Sequence, residues 1–317
     1  MTTPFFSVIV PVFNRSHVLE RALRSVLAQS CQDFEIVVVD DGSTDNVRAV
    51  LDKLRDPRIR YLRQDNQGGG MARNTGINAA KGRFIAPLDS DDVFLPLHLE
   101  RMRRMLEGKE NVAGYARVLV NRGDGRIFLK PPRAIGANED MAEYLLCERG
   151  FVPTITIVVE REIARRVRYH PDLRAAEDAD FAIRLALEGC RFEMAEEAGA
   201  VWNDLADPGR ASAHNRAEQF GAWLQEMRPQ LTDRAWHGAR GWAYAKLLAH
   251  NGHKLRALRL YLNAVLRACY RPRLAAVVFL QIFLAARSYR ALADAGIDWL
   301  RLGLRPKSLS GKFPEPA

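Results

Sequence analysis

The stretch SVIVPVFNRSHVLERALRSVLAQSCQDFEIVVVDDGS, residues 7–43, decides the fold. Its opening, Ser7–Phe13, is an unbroken apolar and largely β-branched run, the pattern of a strand buried on both faces. Val18, Leu19, Ala22, Leu23, Val26 and Leu27 then recur at helical spacing, which predicts a helix over Ser16–Gln29 with Ser16 as N-cap. Phe34–Val39 repeats the buried-strand pattern, and Asp40-Asp41-Gly42-Ser43 closes it as a turn. Strand, helix, strand in this order predicts a parallel pair joined by a right-handed crossover.

Outward from this unit the rhythm continues. A helix is expected over Thr44–Leu54, a strand over Ile59–Leu62, a helix from Gly68–Gly70 to Ala80, and a strand over Phe84–Leu88. Ligands of such sheets bind beyond the carboxyl ends of the strands. Asn14, Asp40, Asp41, Asp89 and Asp91 all fall there, so one edge gathers four carboxylates. Residues 95–213 are less regular, with helices expected at Leu95–Leu106, Glu139–Cys147 and Asp178–Glu188. Strands are expected at Val112–Val120, Ile127–Leu129 and Thr154–Val159. From Arg216 onward the pattern is helical, divided at Gly252.

The 317 residues are 48% apolar and 27% charged, a globular composition that excludes a disordered or collagen-like chain. The cysteines at 31, 147, 190 and 269 form no CxxC, which argues against a zinc knuckle or a disulfide framework. The net charge of +9 is unevenly placed. Residues 214–317 hold 17 Lys or Arg against 6 Asp or Glu, whereas residues 1–213 hold 30 against 32. The N-terminus has no basic region ahead of an apolar core, unlike a secretory signal. The longest uncharged apolar run near the C-terminus, Leu274–Ala286, is 13 residues, short of the about 20 that a spanning helix needs. The expectation is a cytoplasmic protein.

Four motifs carry chemistry. Asp89-Ser90-Asp91-Asp92 can share a hard divalent cation whose remaining ligands come from a diphosphate; read alone, it is equally an Asx turn. Asp40-Asp41 can accept hydrogen bonds from a nucleobase or ribose, or simply cap a turn. The glycines of Asn66-Gln67-Gly68-Gly69-Gly70, ahead of Met71-Ala72-Arg73-Asn74, let a phosphate approach backbone N–H groups. The stretch matches neither a Walker A loop nor GxGxxG. Glu177-Asp178-Ala179-Asp180 complements a helix dipole, or supplies a general base for an acceptor hydroxyl.

Taken in order, these blocks resemble a family 2 glycosyltransferase of the GT-A fold. The resemblance rests on Ser7–Arg15, Val39–Asp45, Ala72-Arg73-Asn74 with Gly76 and Gly82, Leu88–Asp92 and Glu177-Asp178, and covers residues 5–213. It implies an α/β fold, GT-A and Rossmann-like, with a mostly parallel sheet carrying helices on both faces and a helical C-terminal region after it. Residues 1–213 would be the catalytic domain and 214–317 a basic helical extension. It further implies nucleotide binding by Pro11, Phe13, Asn14, Asp40, Asp41, Arg73 and Asp89. Asp91 would hold Mn²⁺ or Mg²⁺, and Asp178 would be the catalytic base of an inverting reaction. The donor implied is a nucleotide-sugar, UDP-linked, and the acceptor a saccharide or lipid-linked hydroxyl in bacterial surface-polysaccharide or glycolipid synthesis. Arg210 and His214 are looser matches for diphosphate or metal contacts. The alternative is a nucleotide-sugar-binding protein without transfer activity. A dinucleotide-dependent oxidoreductase would need a glycine fingerprint in the first strand–helix turn, and Val12-Phe13-Asn14-Arg15-Ser16 has none.

The basic last third lies outside the resemblance. Either it packs on the catalytic part with a solvated basic face, or Arg267, Arg271, Arg273, Arg287 and Arg290 around Leu274–Ala286 attach it peripherally to an anionic bilayer on the inner membrane face. No nucleic-acid-binding module is recognisable there.

Overall fold

The computed structural model describes residues 3–123, 127–174, 176–204 and 217–284. At its centre is β1 (Phe6–Val12), every residue of which is buried, as its unbroken apolar run requires. It lies between β2 (Phe34–Asp40) and β4 (Phe84–Pro87), with β3 (Ile59–Arg63) beyond β2 and the two-residue β8 (Val159–Glu160) beyond β4. The first four strands are parallel and β8 is antiparallel to β4. The chain order 3-2-1-4 reverses direction at β1, so the carboxyl ends of β1, β2 and β4 flank a topological switch point.

The crossovers are α1 (Ser16–Leu27), α2 (Val47–Leu54) and α3 (Gly69–Ala79). α3 lies close on β1 because Gly76 has no side chain: a Cβ there would overlap Ile9. Ser16 is not the cap of α1. The helix begins after Arg15, and the Ser16 N–H donates to Asp45 Oδ2 at 2.7 Å from the β2–α2 loop. α2 starts three residues later than its periodicity suggests, because Asn46 caps it by accepting from Ala49 N.

A second sheet, ordered β5-β9-β6-β7, joins β5 (Val93–Phe94), β6 (Val112–Asn121), β7 (Ile127–Lys130) and β9 (Arg191–Asn203). β9 is the longest element that the sequence pattern leaves out, with β5 and α6 (Arg161–Val167) also unread. Its Glu193, Glu196 and Glu197 interrupt the apolar alternation, and a bulge shifts its register against β6 near Arg117. The strand expected over Thr154–Val159 is instead a 3₁₀ turn at Thr154–Thr156 followed by β8. Around it lie α4 (His98–Leu106), α5 (Met141–Cys147), α6 (Arg161–Val167) and α7 (Glu177–Leu187).

Among the described residues from 217 to 284 the chain is helical, as expected: α8 (Ala217–Met227), α9 (Asp233–Ala239), a π-helical segment (Arg240–Tyr244), α10 (Ala245–His250), α11 (Lys254–Leu266) and α12 (Pro272–Phe283), with Gly252 between α10 and α11. These helices share a hydrophobic core with the first part. One cluster runs from Ile9 and Tyr169 through Phe181 to Trp223, Ala239 and Val278. Polar contacts reinforce it. Trp223 Nε1 donates to the fully buried Asp180 at 2.8 Å, and Arg234 pairs with Glu143 at 2.8 Å and with Glu148.

Candidate active site

The loops after β1 and β2 are fastened to each other. Asn14, with φ of 52°, donates its N–H to Ser43 Oγ at 3.0 Å and accepts from Thr44 N at 2.7 Å. Pro11 lies two residues past the end of the β1–β4 pairing, where a missing N–H costs the sheet least. Phe13 follows, 45% exposed at the strand's carboxyl end although large and aromatic.

Asp40 closes β2 with a fully buried carboxylate that accepts from Ser43 N at 2.8 Å, Tyr61 Oη at 2.7 Å and Arg63 Nη1 at 2.8 Å. Burial pushes its pKa up, but these donors outweigh burial and hold it below the ordinary range. Asp41 accepts from Gln64 Nε2 at 2.7 Å, Gln67 N at 2.9 Å and Gly68 N at 2.7 Å, so it ties β2 to the glycine loop. Gly42, at φ +83°, makes this possible: a Cβ there would stand 2.9 Å from Asn66 N.

Arg73, in the first turns of α3, joins three motifs. Its guanidinium is buried; Nη2 donates to Asp89 Oδ1 at 2.5 Å and Nη1 to Glu177 Oε2 at 2.8 Å. It lies 5.2 Å from the ring centroid of Tyr169, which stacks on Phe181 at 4.2 Å. The neighbouring Asn74 fixes the Tyr169 backbone from both sides, donating to its carbonyl and accepting from its N–H at 2.8 Å each. Asp91 pairs with Arg15, while its carbonyl accepts from Arg21 and from Asn203 Nδ2. Asp92 is buried and accepts from Asn203 N at 2.7 Å, a structural role that locks the motif to the end of β9.

Asp178 stands in the first turn of α7 and accepts a hydrogen bond from Thr154 Oγ1. Burial pushes its pKa up to about 6, Asp89 and Glu177 push in the same direction, and Thr154 and Arg73 oppose them. A carboxylate in this range is ionised at neutral pH yet basic enough to take a proton. Asp180, from the same acidic cluster, is structural: it holds Arg184 and Trp223. Thr154, Tyr169, Glu177 and Arg15 are the site residues to which the sequence reading gave no role. Only Glu177 and Arg15 stood inside a quoted motif, and Thr154 sat in a presumed strand. Arg210 and His214 lie outside the described residues.

Among the described residues no cluster of three or more His, Cys, Asp or Glu is placed to enclose a metal. Asp91, part-exposed beside Arg15, still fits a cation whose other ligands come with a substrate, because Mg²⁺-type sites commonly take one or two carboxylates plus phosphate oxygens.

The switch-point location, the acid-lined strand ends and the second sheet define a GT-A glycosyltransferase. The chain belongs to glycosyl transferase family 2, whose model matches residues 7–168, just over half its length. Over 242 residues it is 28% identical to the amylovoran biosynthesis glycosyltransferase AmsB of Erwinia amylovora, covering 72% of this chain and 79% of that protein. It is 43% identical to the succinoglycan biosynthesis protein ExoO of Rhizobium meliloti over 122 residues, which are 38% of this chain and 34% of ExoO. The fold matches S. aureus TarS in complex with UDP-GlcNAc at a TM-score of 0.63 and 19% identity, over 91% of this chain and 90% of that one. It also matches the mannosyltransferase PcManGT from Pyrobaculum calidifontis, bound to GDP-Man and Mn²⁺, at 0.54 and 18% identity, over 93% and 89%.

Proposed function

We propose that this glycosyltransferase moves a sugar from a UDP-linked donor to an acceptor hydroxyl with inversion, in the synthesis of a bacterial surface polysaccharide or glycolipid. The observation that carries the reading is the Asp178 carboxylate, tuned to about 6 and placed by Thr154 beside the Arg73–Asp89–Glu177 cluster. Asp89 and Glu177 are both held by Arg73, so among these acids Asp178 is the one outside that ion-pair cluster. A single base suits a single displacement: Asp178 takes the acceptor proton as the new bond forms, and no covalent sugar intermediate is needed.

Phe13 offers its exposed face to the nucleobase, with Pro11, Asn14, Asp40 and Asp41 shaping the pocket around it. Asp89 faces the ribose, and Arg73 orients Asp89. Asp91 would hold Mn²⁺ or Mg²⁺. When bound, the cation would neutralise charge on the departing diphosphate. The similarly folded TarS and PcManGT, bound to UDP-GlcNAc in one case and to GDP-Man with Mn²⁺ in the other, support a nucleotide-sugar donor. The division into a catalytic part, 1–213, and a basic helical part, 214–317, belongs to the same proposal.

The test is a thermal-shift panel with UDP, GDP, TDP and CMP, each with and without Mn²⁺, on wild type and Asp91→Ala. A ligand at 100 times its Kd stabilises by about 2.7 kcal/mol. The expected result is a Mn²⁺-dependent shift with UDP that Asp91→Ala loses. A shift with another nucleotide would replace the donor base, and no shift with any of them would count against a nucleotide-sugar donor site.

A further inference from the structure

Beside the donor site lies a group of side chains that none of these roles uses. Lys130, at the end of β7, holds its ammonium 5.8 Å from the ring centroid of Phe128, 5.6 Å from that of Phe151 and 5.1 Å from that of Trp202. Phe151 and Trp202 stack at 5.7 Å. All four side chains are half-buried. Asp204 is a carboxylate whose charge reaches Lys130, and Arg122 already approaches Asp204 at 3.5 Å. Arg122 also stacks on Phe128, and with Arg149 and Lys246 it makes the surroundings of Lys130 strongly positive. A cation drawn out of water by three rings and ringed by like charge gains most from an anion.

The position is equally specific. Trp202 precedes Asn203, which bonds both Asp91 and Asp92. Phe151 precedes by three residues Thr154, which bonds Asp178. Three residues span at most about 11 Å of chain. The aromatic group is therefore tied through β9 and the 151–154 segment to the residues that bond Asp91, Asp92 and Asp178, within reach of an acceptor presented to Asp178.

We propose that Lys130, Phe128, Phe151 and Trp202 form an acceptor subsite for an anionic saccharide. The aromatic faces take the apolar C–H face of a sugar ring, and Lys130 takes its carboxylate or phosphate substituent. This deepens the transferase reading and rests on it for the word acceptor, but the subsite itself binds without nucleotide.

The experiment is ligand-observed NMR with methyl β-D-glucuronide, glucose 6-phosphate and methyl β-D-glucoside, on wild type, Lys130→Gln and Lys130→Arg, with and without UDP and Mn²⁺. Wild type should bind at least one charged sugar about tenfold more tightly than the neutral glucoside. Which charged sugar wins separates carboxylate from phosphate. Lys130→Gln should erase that preference, Lys130→Arg should keep it, and UDP with Mn²⁺ should leave it in place. Equal binding of charged and neutral sugars, a preference that survives Lys130→Gln, or competition by UDP would overturn the subsite. Loss of the UDP thermal shift with the preference intact would instead overturn the donor reading.

Discussion

In its proposed role as base, Asp178 sets catalysis against stability. A carboxyl whose folded pKa is raised from the ordinary 3.8 to about 6 binds its proton more readily folded than unfolded. Folding stability therefore falls as pH rises through the window from about 4 to 6, and the cost is fully present above it. Asp178→Asn should raise Tm by a few degrees at pH 7.5, and the gain should vanish below pH 4. The same variant should lose about 10²–10⁴-fold in turnover while the UDP thermal shift survives. Wild-type kcat/KM should fall below pH 6 as the base is protonated. Thr154→Val, which removes a donor to the charged form, should move that limb to higher pH. Near-native turnover in Asp178→Asn would remove it as the base. The sequence showed this acid and its helix, but not its tuning. Thr154 is 24 residues away and Tyr169 lies outside every motif, so their meeting is a product of the fold.

Among the elements, those made of local pattern were legible and those made by partners were not. β1, β2 and α1 could be read because buried strands and amphipathic helices write their period into the chain, and α3 because glycines open it. β9 could not, because its glutamates are satisfied by cations elsewhere, Lys109 for Glu193 and Arg117 for Glu196. Arg73 shows the same limit. The motif's resemblance marks it as a nucleotide neighbour, and only the fold shows that its buried guanidinium is also a strut from α3 to the β4 end and α7. Arg73→Met leaves two carboxylates without their counter-charge. It should destabilise by about 3 kcal/mol, read by chemical denaturation, and push the Asp178 limb further up in pH. A stability loss with an unmoved pH limb would show that Arg73 supports the fold without tuning the base.

At the scale of the whole molecule, no helix among the described residues is long and apolar enough to cross a membrane. The basic last third is the place to look for peripheral contact, although most of the apolar run around residue 274 faces inward, with Phe279 left 41% exposed. α12 turns Ala275, Val277, Val278 and Ile282 into the core. α11 instead presents Leu255, Leu262 and Leu266 at 76%, 47% and 86% exposure, with Arg256, Arg259 and Arg267 around them. Arg287 and Arg290 lie outside the described residues. If this face meets an anionic bilayer, co-sedimentation with phosphatidylglycerol vesicles should fall several-fold in Leu262→Ser/Leu266→Ser and in high salt, and neutral vesicles should bind poorly. Equal pelleting of wild type and variant would leave the face a solvated one.

The indole of Trp223, hydrogen-bonded to Asp180 two positions beyond the base, gives the shared core a meaning for recombination. A chimera cut after residue 213 would strip α7 of that anchor and open the hydrophobic cluster that Phe181 shares with Trp223, Ala239 and Val278, so residues 1–213 should lose stability when separated from the helices that follow. An exchange meant to redirect specificity should carry α8 to α12 along with α5 and α7, because the helices that look like an appendage in the sequence anchor the helix of Asp178.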